Sequence, residues 1–75
     1  MKTIMNGTTA YEMMTNYRRG DRSAIVLKRP SDGTYVVGKN YEMDGDERNV
    51  CWCWGCYDIP TVEQAQRIAL AWCFD

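Results

Sequence analysis

The segment Val50-Cys51-Trp52-Cys53-Trp54-Gly55-Cys56-Tyr57 is the most distinctive stretch of this chain. It holds three of the four cysteines and two of the three tryptophans. Three interpretations fit it: half of a metal site, a buried central strand, or a strand with one exposed aromatic face. Side chains alternate along a strand, so Trp52 and Trp54 are expected on one face and Cys51 and Cys53 on the other.

Length and composition indicate a single globular domain spanning residues 1–75. A chain this short buries only about 60% of its unfolded surface, so its core is thin. Hydrophobic residues make up 45% and charged residues 25%, as in ordinary globular proteins. The net charge of −1 neither attracts the chain to nucleic acid nor repels it.

The sequence predicts a cytoplasmic protein without a membrane span. No stretch approaches the roughly 20 apolar residues that a transmembrane helix needs. The N-terminal Met1-Lys2-Thr3-Ile4-Met5 has a lysine without the apolar run of a secretory signal. Cysteines in a reducing cytoplasm stay thiols or bind metal more often than they form disulfides.

The absence of histidine disfavours an enzyme. Histidine is the commonest general base and metal ligand, and the chain has none. An enzyme built from this sequence would depend on carboxylates, cysteine or lysine. We therefore predict no catalytic residues and no cofactor.

The N-terminal third favours a helix over Thr9–Arg19. Thr9 and Glu12 have the spacing of a capping box, and Gly20 is a typical helix stop. Four apolar residues recur at i, i+3, i+4 and i+7 as one helical stripe: Ala10, Met13, Met14 and Tyr17.

The remaining chain predicts three strands and a second helix. The strands cover residues 23–29, 34–41 and 50–57, with a turn at Pro30-Ser31-Asp32-Gly33 and a polar loop at 42–49. Thr61 and Gln64 cap a helix that reaches the end of the chain. The helix has one apolar stripe: Val62, Ala65, Ala69, Trp72 and Cys73. The predicted fold class is α+β: a single two-layer domain of order α-β-β-β-α, in which two helices pack a three-stranded antiparallel meander.

Strand alternation sorts the predicted sheet into a small face and a bulky face. The small face is expected beneath the helices, with the cysteines buried: Ala24, Val26, Val36, Gly38, Cys51 and Cys53. The bulky face comprises Ile25, Leu27, Tyr35, Val37, Trp52 and Trp54. Three alternatives remain: the aromatic face is an exposed interface, one helix covers each face and the tryptophans are core, or the structure around Gly55 is irregular.

The four cysteines are an imperfect match to a zinc site. Their number fits four thiolate ligands, but only Cys53 and Cys56 have the C-x2-C spacing of a zinc knuckle. Three interpretations stay open: buried free thiols, which the spacing favours, a zinc site, or a Cys56–Cys73 disulfide. The zinc ligands would be Cys51, Cys53, Cys56 and Cys73.

Two clusters of charge are further candidates for binding. Four carboxylates occupy the polar loop without the spacing of an EF-hand: Glu42, Asp44, Asp46 and Glu47. They are either simply solvated or presented to a basic groove of a partner. Five basic residues could bind single-stranded nucleic acid beside Tyr35 and the tryptophans, or serve only as solvated element ends: Arg18, Arg19, Arg22, Lys28 and Arg29.

In size, near-neutral charge and lack of catalytic residues, the chain resembles small phage or mobile-element proteins, including anti-CRISPR inhibitors. The resemblance implies a protein that occupies a surface of a larger complex in the host cytoplasm. We therefore predict a non-enzymatic protein-binding module, with a homodimer through the same face as a related outcome. The alternative is a zinc-stabilised or nucleic-acid-binding module. The predicted partner-binding residues are Trp52, Trp54, Tyr35, Tyr41, Glu42, Asp44, Asp46 and Glu47.

Overall fold

The computed structural model describes residues 3–44 and 49–74 of the chain. In this part the chain forms seven strands and then one helix: β1 Thr3–Asn6, β2 Thr9–Arg19, β3 Arg22–Arg29, β4 Thr34–Lys39, β5 Glu42–Asp44, β6 Asn49–Cys51, β7 Trp54–Ile59 and α1 Val62–Phe74. The strands make one sheet of order β5-β6-β1-β2-β3-β4-β7. No helix within these residues is long and apolar enough to cross a membrane.

The predicted α-β-β-β-α order, with two helices on a three-stranded meander, is wrong. The protein is mostly β, with a curled mixed sheet and one C-terminal helix. The predicted N-terminal helix is strand β2, which pairs antiparallel with β1 on one side and β3 on the other. Gly7 and Gly20 open the two-residue hairpin loops on either side of it, with φ of 63° and 60°. Glycine at that position is typical of a tight β-hairpin, so Gly20 closes a hairpin and ends no helix.

A β-bulge explains why β2 has a helical pattern of apolar residues. The pairing of β2 with β3 skips Met14, which is the extra residue of the bulge. Before the bulge, Tyr11 and Met13 pack on one side of the sheet, and after it Tyr17 packs on the other. A bulge shifts the alternation of side chains by one residue. The resulting spacing imitates one face of a helix.

The predicted turn between β3 and β4 is confirmed. Gly33 has a φ of 74°, and its N–H donates to the carbonyl oxygen of Arg29 at 2.8 Å. The Arg29 guanidinium binds the carboxylates of Asp32 in the turn and Asp58 in β7. The turn is thereby tied to the neighbouring edge strand.

Strands β4 to β7 are two halves of one bent hairpin. Lys39 pairs with Trp54 in the β4–β7 half, and Glu42 pairs with Cys51 in the β5–β6 half. Both pairs belong to the same register, so the two strands pair with the same alignment before and after residues 40–41 and 52–53. The predicted strand 50–57 is therefore divided in two, and the predicted strand 34–41 ends at Lys39. The predicted polar loop 42–49 is only partly a loop, because β5 and the first residue of β6 lie within it.

The interruption is a corner formed by residues 40–41 and 52–53. Asn40 has a positive φ of 52°, a conformation that asparagine tolerates better than most residues. The Cys53 N–H donates to the Lys39 carbonyl oxygen at 3.1 Å, so the two chains stay connected through the corner. The corner turns the β5–β6 half away from the β4–β7 half.

The curl closes where β6 pairs in parallel with β1, through Met5 and Asn49. Two cores result, one on each side of the sheet. The inner core lies inside the curl and comprises Ile4, Tyr11, Ile25, Leu27, Val36 and Val50. The helix-side core lies between the sheet and α1 and comprises Ala24, Val26, Val37, Ile59, Ala65, Ala69 and Cys73.

The predicted division of the sheet faces is only partly correct. Ala24 and Val26 lie beneath the helix as expected, but Val36 and Gly38 face the inner core. The four-residue turn sets a register in which Val26 pairs with Val37, and directly paired residues share a face. Register thus places Val37, and not Val36, beneath α1.

The C-terminal helix is confirmed with its predicted cap and stripe. The Thr61 Oγ accepts the Gln64 N–H at 3.3 Å. Ala65, Ala69 and Cys73 are buried against the sheet, and their small side chains let the helix lie close to β3 and β4. The helix covers one face of the sheet, and the other face encloses the inner core.

Candidate functional site

Trp52 lies at the corner of the bent hairpin and packs against the inner core. Its Nε1–H donates to the Tyr57 hydroxyl at 2.9 Å, and its ring meets that of Tyr11 edge-on, with centroids 5.9 Å apart. A β-carbon on Gly38 or Gly55 would fall within 3 Å of the indole. Trp52 is therefore a half-buried packing residue and does not form an exposed aromatic face with Trp54.

Trp54 lies on the helix side of the sheet and is 45% exposed. The Lys39 ammonium, on the paired residue of β4, lies 3.9 Å from the centroid of the Trp54 ring. The same ammonium lies 4.5 Å from the ring of Trp72 on α1. One cation thus bridges two tryptophans that come from different elements.

Two arginines extend this arrangement around the end of the helix. The Arg22 guanidinium lies 4.7 Å from the Trp72 ring centroid and donates to the Trp72 carbonyl oxygen at 3.0 Å. Arg19 lies 5.5 Å from the Phe74 ring and donates to the Phe74 carbonyl at 3.2 Å. The last turn of α1 has no basic residue of its own. The β2–β3 hairpin therefore supplies the positive charge that favours a helix C-terminus.

These side chains form one continuous surface, which we call the cation–aromatic surface: Arg19, Arg22, Lys39, Trp54, Trp72 and Phe74. The hairpin ends of β2 and β3, the end of β4 and the start of β7 meet the last turn of α1 there. Phe74 is 48% exposed, and Leu70 one helical turn earlier is 40% exposed. Together with Trp54 they give the surface an apolar component that water reaches.

The predicted basic patch is divided between the two ends of the sheet. Arg18, Arg19 and Arg22 lie at the β2–β3 hairpin, whereas Lys28 and Arg29 end β3 at the other side. A strand rises about 3.3 Å per residue, so the groups are roughly 20 Å apart. Arg29 is also engaged by two carboxylates, and the hydrogen bond to Asp32 is the main cause that raises its pKa. The five residues therefore form no single patch.

The other predicted contact residues lie apart from Trp54. Tyr35 is half-buried beside the helix-side core. Tyr41 is half-buried beside the inner core, and Arg18 lies 5.7 Å from its ring centroid. Tyr41, Arg18 and the exposed Glu42 line an open polar cavity of about 570 Å³. The side chain of Asp44 and the residues Asp46 and Glu47 lie outside the described part of the structure.

The cysteines separate into two pairs. Cys73 is buried, burial raises the pKa of its thiol, and Cys56 packs half-buried against the same helix-side core. Cys51 and Cys53 are exposed, so the prediction that they are buried packing residues is wrong. Within residues 3–44 and 49–74, no three cysteine or carboxylate side chains come together to hold a metal ion. The four predicted zinc ligands are not one cluster.

Sequence reasoning missed Lys39, Trp72 and Phe74 as members of a surface. A hairpin centred in the 42–49 loop places Lys39 opposite one of the two tryptophans. The predicted strands 34–41 and 50–57 therefore already imply a contact between Lys39 and a tryptophan. The predicted stripe of α1 includes Trp72, and part of its side chain does pack against the helix-side core. Its contact with Arg22 joins residues 50 positions apart in sequence, which no local pattern reveals.

No protein-family model, curated protein or solved structure matches this chain.

Proposed function

We propose that this chain is a non-enzymatic binding module that docks onto an acidic surface of a protein partner through the cation–aromatic surface. The observation that carries the proposal is the placement of Lys39 between Trp54 and Trp72, with Trp54 45% exposed. Of the two predicted contact tryptophans, Trp54 belongs to this surface and Trp52 does not. Trp72 and Phe74 join Trp54 there instead.

The composition of the surface supports a protein partner. Tryptophan and arginine are the residues most enriched among those that dominate protein–protein binding energy. Trp54 is anchored by Lys39 on one side, so it loses little conformational freedom on binding. Leu70 and Phe74 continue the surface with apolar area that a partner can remove from water.

The charge of the surface supports an acidic partner. Arg19, Arg22 and Lys39 are cationic, and in the described part of the chain the ion pairs are those of Arg29 alone. No described carboxylate therefore neutralises these three cations through an ion pair. Positive charge at the rim of an interface steers association with a negative partner and sets its orientation.

Single-stranded nucleic acid is the less favoured ligand of this surface. Base stacking needs an accessible ring face, and cations lie against the rings of Trp54, Trp72 and Phe74. Arg19 and Arg22 already donate to helix carbonyl oxygens. The net charge of −1 gives no overall attraction to phosphates.

We further propose that docking inhibits the partner by occupying its surface. We infer this inhibitory role from the resemblance in size and composition to small phage-encoded inhibitors. It assigns the cation–aromatic surface no chemistry beyond binding.

Affinity capture with matched variants tests the proposal. Wild-type protein, Trp54→Ala and Lys28→Ala would be immobilised and exposed to a lysate of the organism in which the chain acts. We expect an acidic protein that wild type and Lys28→Ala retain equally and that Trp54→Ala loses at least tenfold. Lys28 is the control because it lies at the far end of β3.

Two results would contradict the proposal. One is retention of the same protein by Trp54→Ala at the wild-type level. The other is Trp54-dependent binding of oligothymidylate that falls steeply with salt, which would assign single-stranded nucleic acid to the surface. Circular dichroism of each variant separates loss of binding from loss of folding.

A further inference from the structure

Cys51 and Cys53 lie on either side of Trp52 at the corner of the bent hairpin. Both are exposed, whereas Cys56 is half-buried and Cys73 is buried. Cys51 and Cys53 line the same open cavity of about 190 Å³, together with Asn40, Glu42 and Trp52. The corner thus brings two accessible thiols to one place.

The two thiols are directed to the same side of the chain. Both residues are exposed and line one cavity, whereas Trp52 between them packs against the inner core. Cys51 and Cys53 therefore both point outward. Their backbone is tied to the facing chain at two points, because Cys51 pairs with Glu42 and the Cys53 N–H donates to the Lys39 carbonyl oxygen.

The spacing of the two residues permits a disulfide bond. Residues i and i+2 of a fully extended chain have Cα atoms about 6.6–7.2 Å apart. Disulfides join Cα atoms about 4.4–6.8 Å apart. The two ranges overlap between about 6.6 and about 6.8 Å, so a disulfide between residues i and i+2 is compatible with the spacing of the chain.

We propose that Cys51 and Cys53 are a thiol–disulfide exchange site for low-molecular-weight disulfides. The thiolate of one cysteine attacks a sulfur of the small disulfide, breaks its S–S bond and releases one small thiolate. The second cysteine then attacks the mixed disulfide, forms the Cys51–Cys53 bond and releases the second small thiolate. Two electrons pass from the protein to the small disulfide, and the two cysteine protons convert the released thiolates to thiols.

The other two cysteines take no part in this exchange. The Cys73 thiol donates to the Tyr17 carbonyl oxygen at 3.7 Å beneath the helix. Cys56 packs against the same core. Exchange therefore changes the corner and leaves the helix-side core intact. Because Trp52 lies between the reacting residues, oxidation is expected to change its fluorescence.

Mass spectrometry of the folded protein in glutathione buffers tests the site. The protein would be equilibrated over a range of oxidised-to-reduced glutathione ratios, alkylated and digested. We expect one species lighter by two hydrogen atoms, with Cys51 joined to Cys53 and with Cys56 and Cys73 still reduced. Cys51→Ser should instead accumulate one glutathione on Cys53, and Cys56→Ser should behave as wild type.

Three outcomes would overturn the proposal. The first is a wild-type protein that carries a glutathione on each of Cys51 and Cys53 without an internal bond. The second is a disulfide-linked dimer as the main oxidised product. The third is a bond that involves Cys56 or Cys73. Exchange does not depend on partner binding, so each result is independent of the docking proposal.

Discussion

A β-carbon on Gly38 would lie 2.7 Å from Cγ of Trp52. Real β-carbons do not approach other atoms this closely, so the indole occupies the space that a side chain at position 38 would fill. The contact places Trp52 across β4 at the corner where the sheet turns. Gly55 on β7 likewise leaves room for the indole, because a β-carbon added at Gly55 would lie 2.6 Å from Nε1 of Trp52.

Gly38→Ala is expected to destabilise the protein by about 1–3 kcal/mol, because the added methyl group overpacks a filled site. Urea denaturation followed by circular dichroism measures this change. The cost should fall by at least about 0.5 kcal/mol in a Trp52→Leu background, since the smaller side chain makes room. An equal cost in both backgrounds would show that Gly38 and Trp52 do not interact.

Acid is expected to weaken the β3–β4 turn. The hydrogen bond from Arg29, followed by those from Thr34, holds the pKa of Asp32 well below its usual value of 3.8. The stability from this carboxylate is therefore present above about pH 3.8 and is lost as pH falls toward the lower native pKa. Asp32→Asn should show a smaller loss of unfolding free energy between about pH 5 and about pH 2.5.

Ser31→Ala is the matched control for this pH dependence, since it changes a neighbouring exposed turn residue without a charge. It should lose as much stability in acid as wild type. If Asp32→Asn also loses as much as wild type, the ion pair with Arg29 does not stabilise the folded state.

The arginines at the helix end should contribute to stability as well as to the surface. Arg19→Gln and Arg22→Gln should each cost about 0.3–1 kcal/mol, because each removes a cation beside the C-terminus of α1. The loss should shrink in high salt, which screens exposed charges. Lys28→Gln, at the opposite end of β3 from Arg22, should cost less than either variant. An equal cost for all three would show that the position of the charge is irrelevant.

Sequence reasoning predicts the parts of this fold that depend on local chemistry. The turn at Pro30-Ser31-Asp32-Gly33 and the Thr61 cap are recognisable because their residues act on their own neighbours. The apolar stripe of α1 is regular over its whole length. These elements were confirmed with their expected roles.

The wrong predictions come from features that interrupt the regular alternation of side chains along a strand. The bulge at Met14 gives the apolar residues of β2 a helical spacing. Gly7, which opens the preceding hairpin loop with a positive φ, marks β2 as a strand. The corner at Trp52 breaks a segment that alternates as one strand. Parity then gives Trp52 and Trp54 a common face that they do not have. The cation–aromatic surface depends on long-range contacts, so no local pattern could locate it.

The central claim is that the two tryptophans of the Cys-Trp-Cys-Trp segment have different roles, and unfolding free energies of Trp52→Ala and Trp54→Ala test it most directly. Trp52 packs against Tyr11 and Gly38, so its removal should cost at least about 2–3 kcal/mol. Trp54 is 45% exposed and interacts with Lys39, so its removal should cost about 0.5–1 kcal/mol. Equal losses, or a larger loss for Trp54→Ala, would contradict the account.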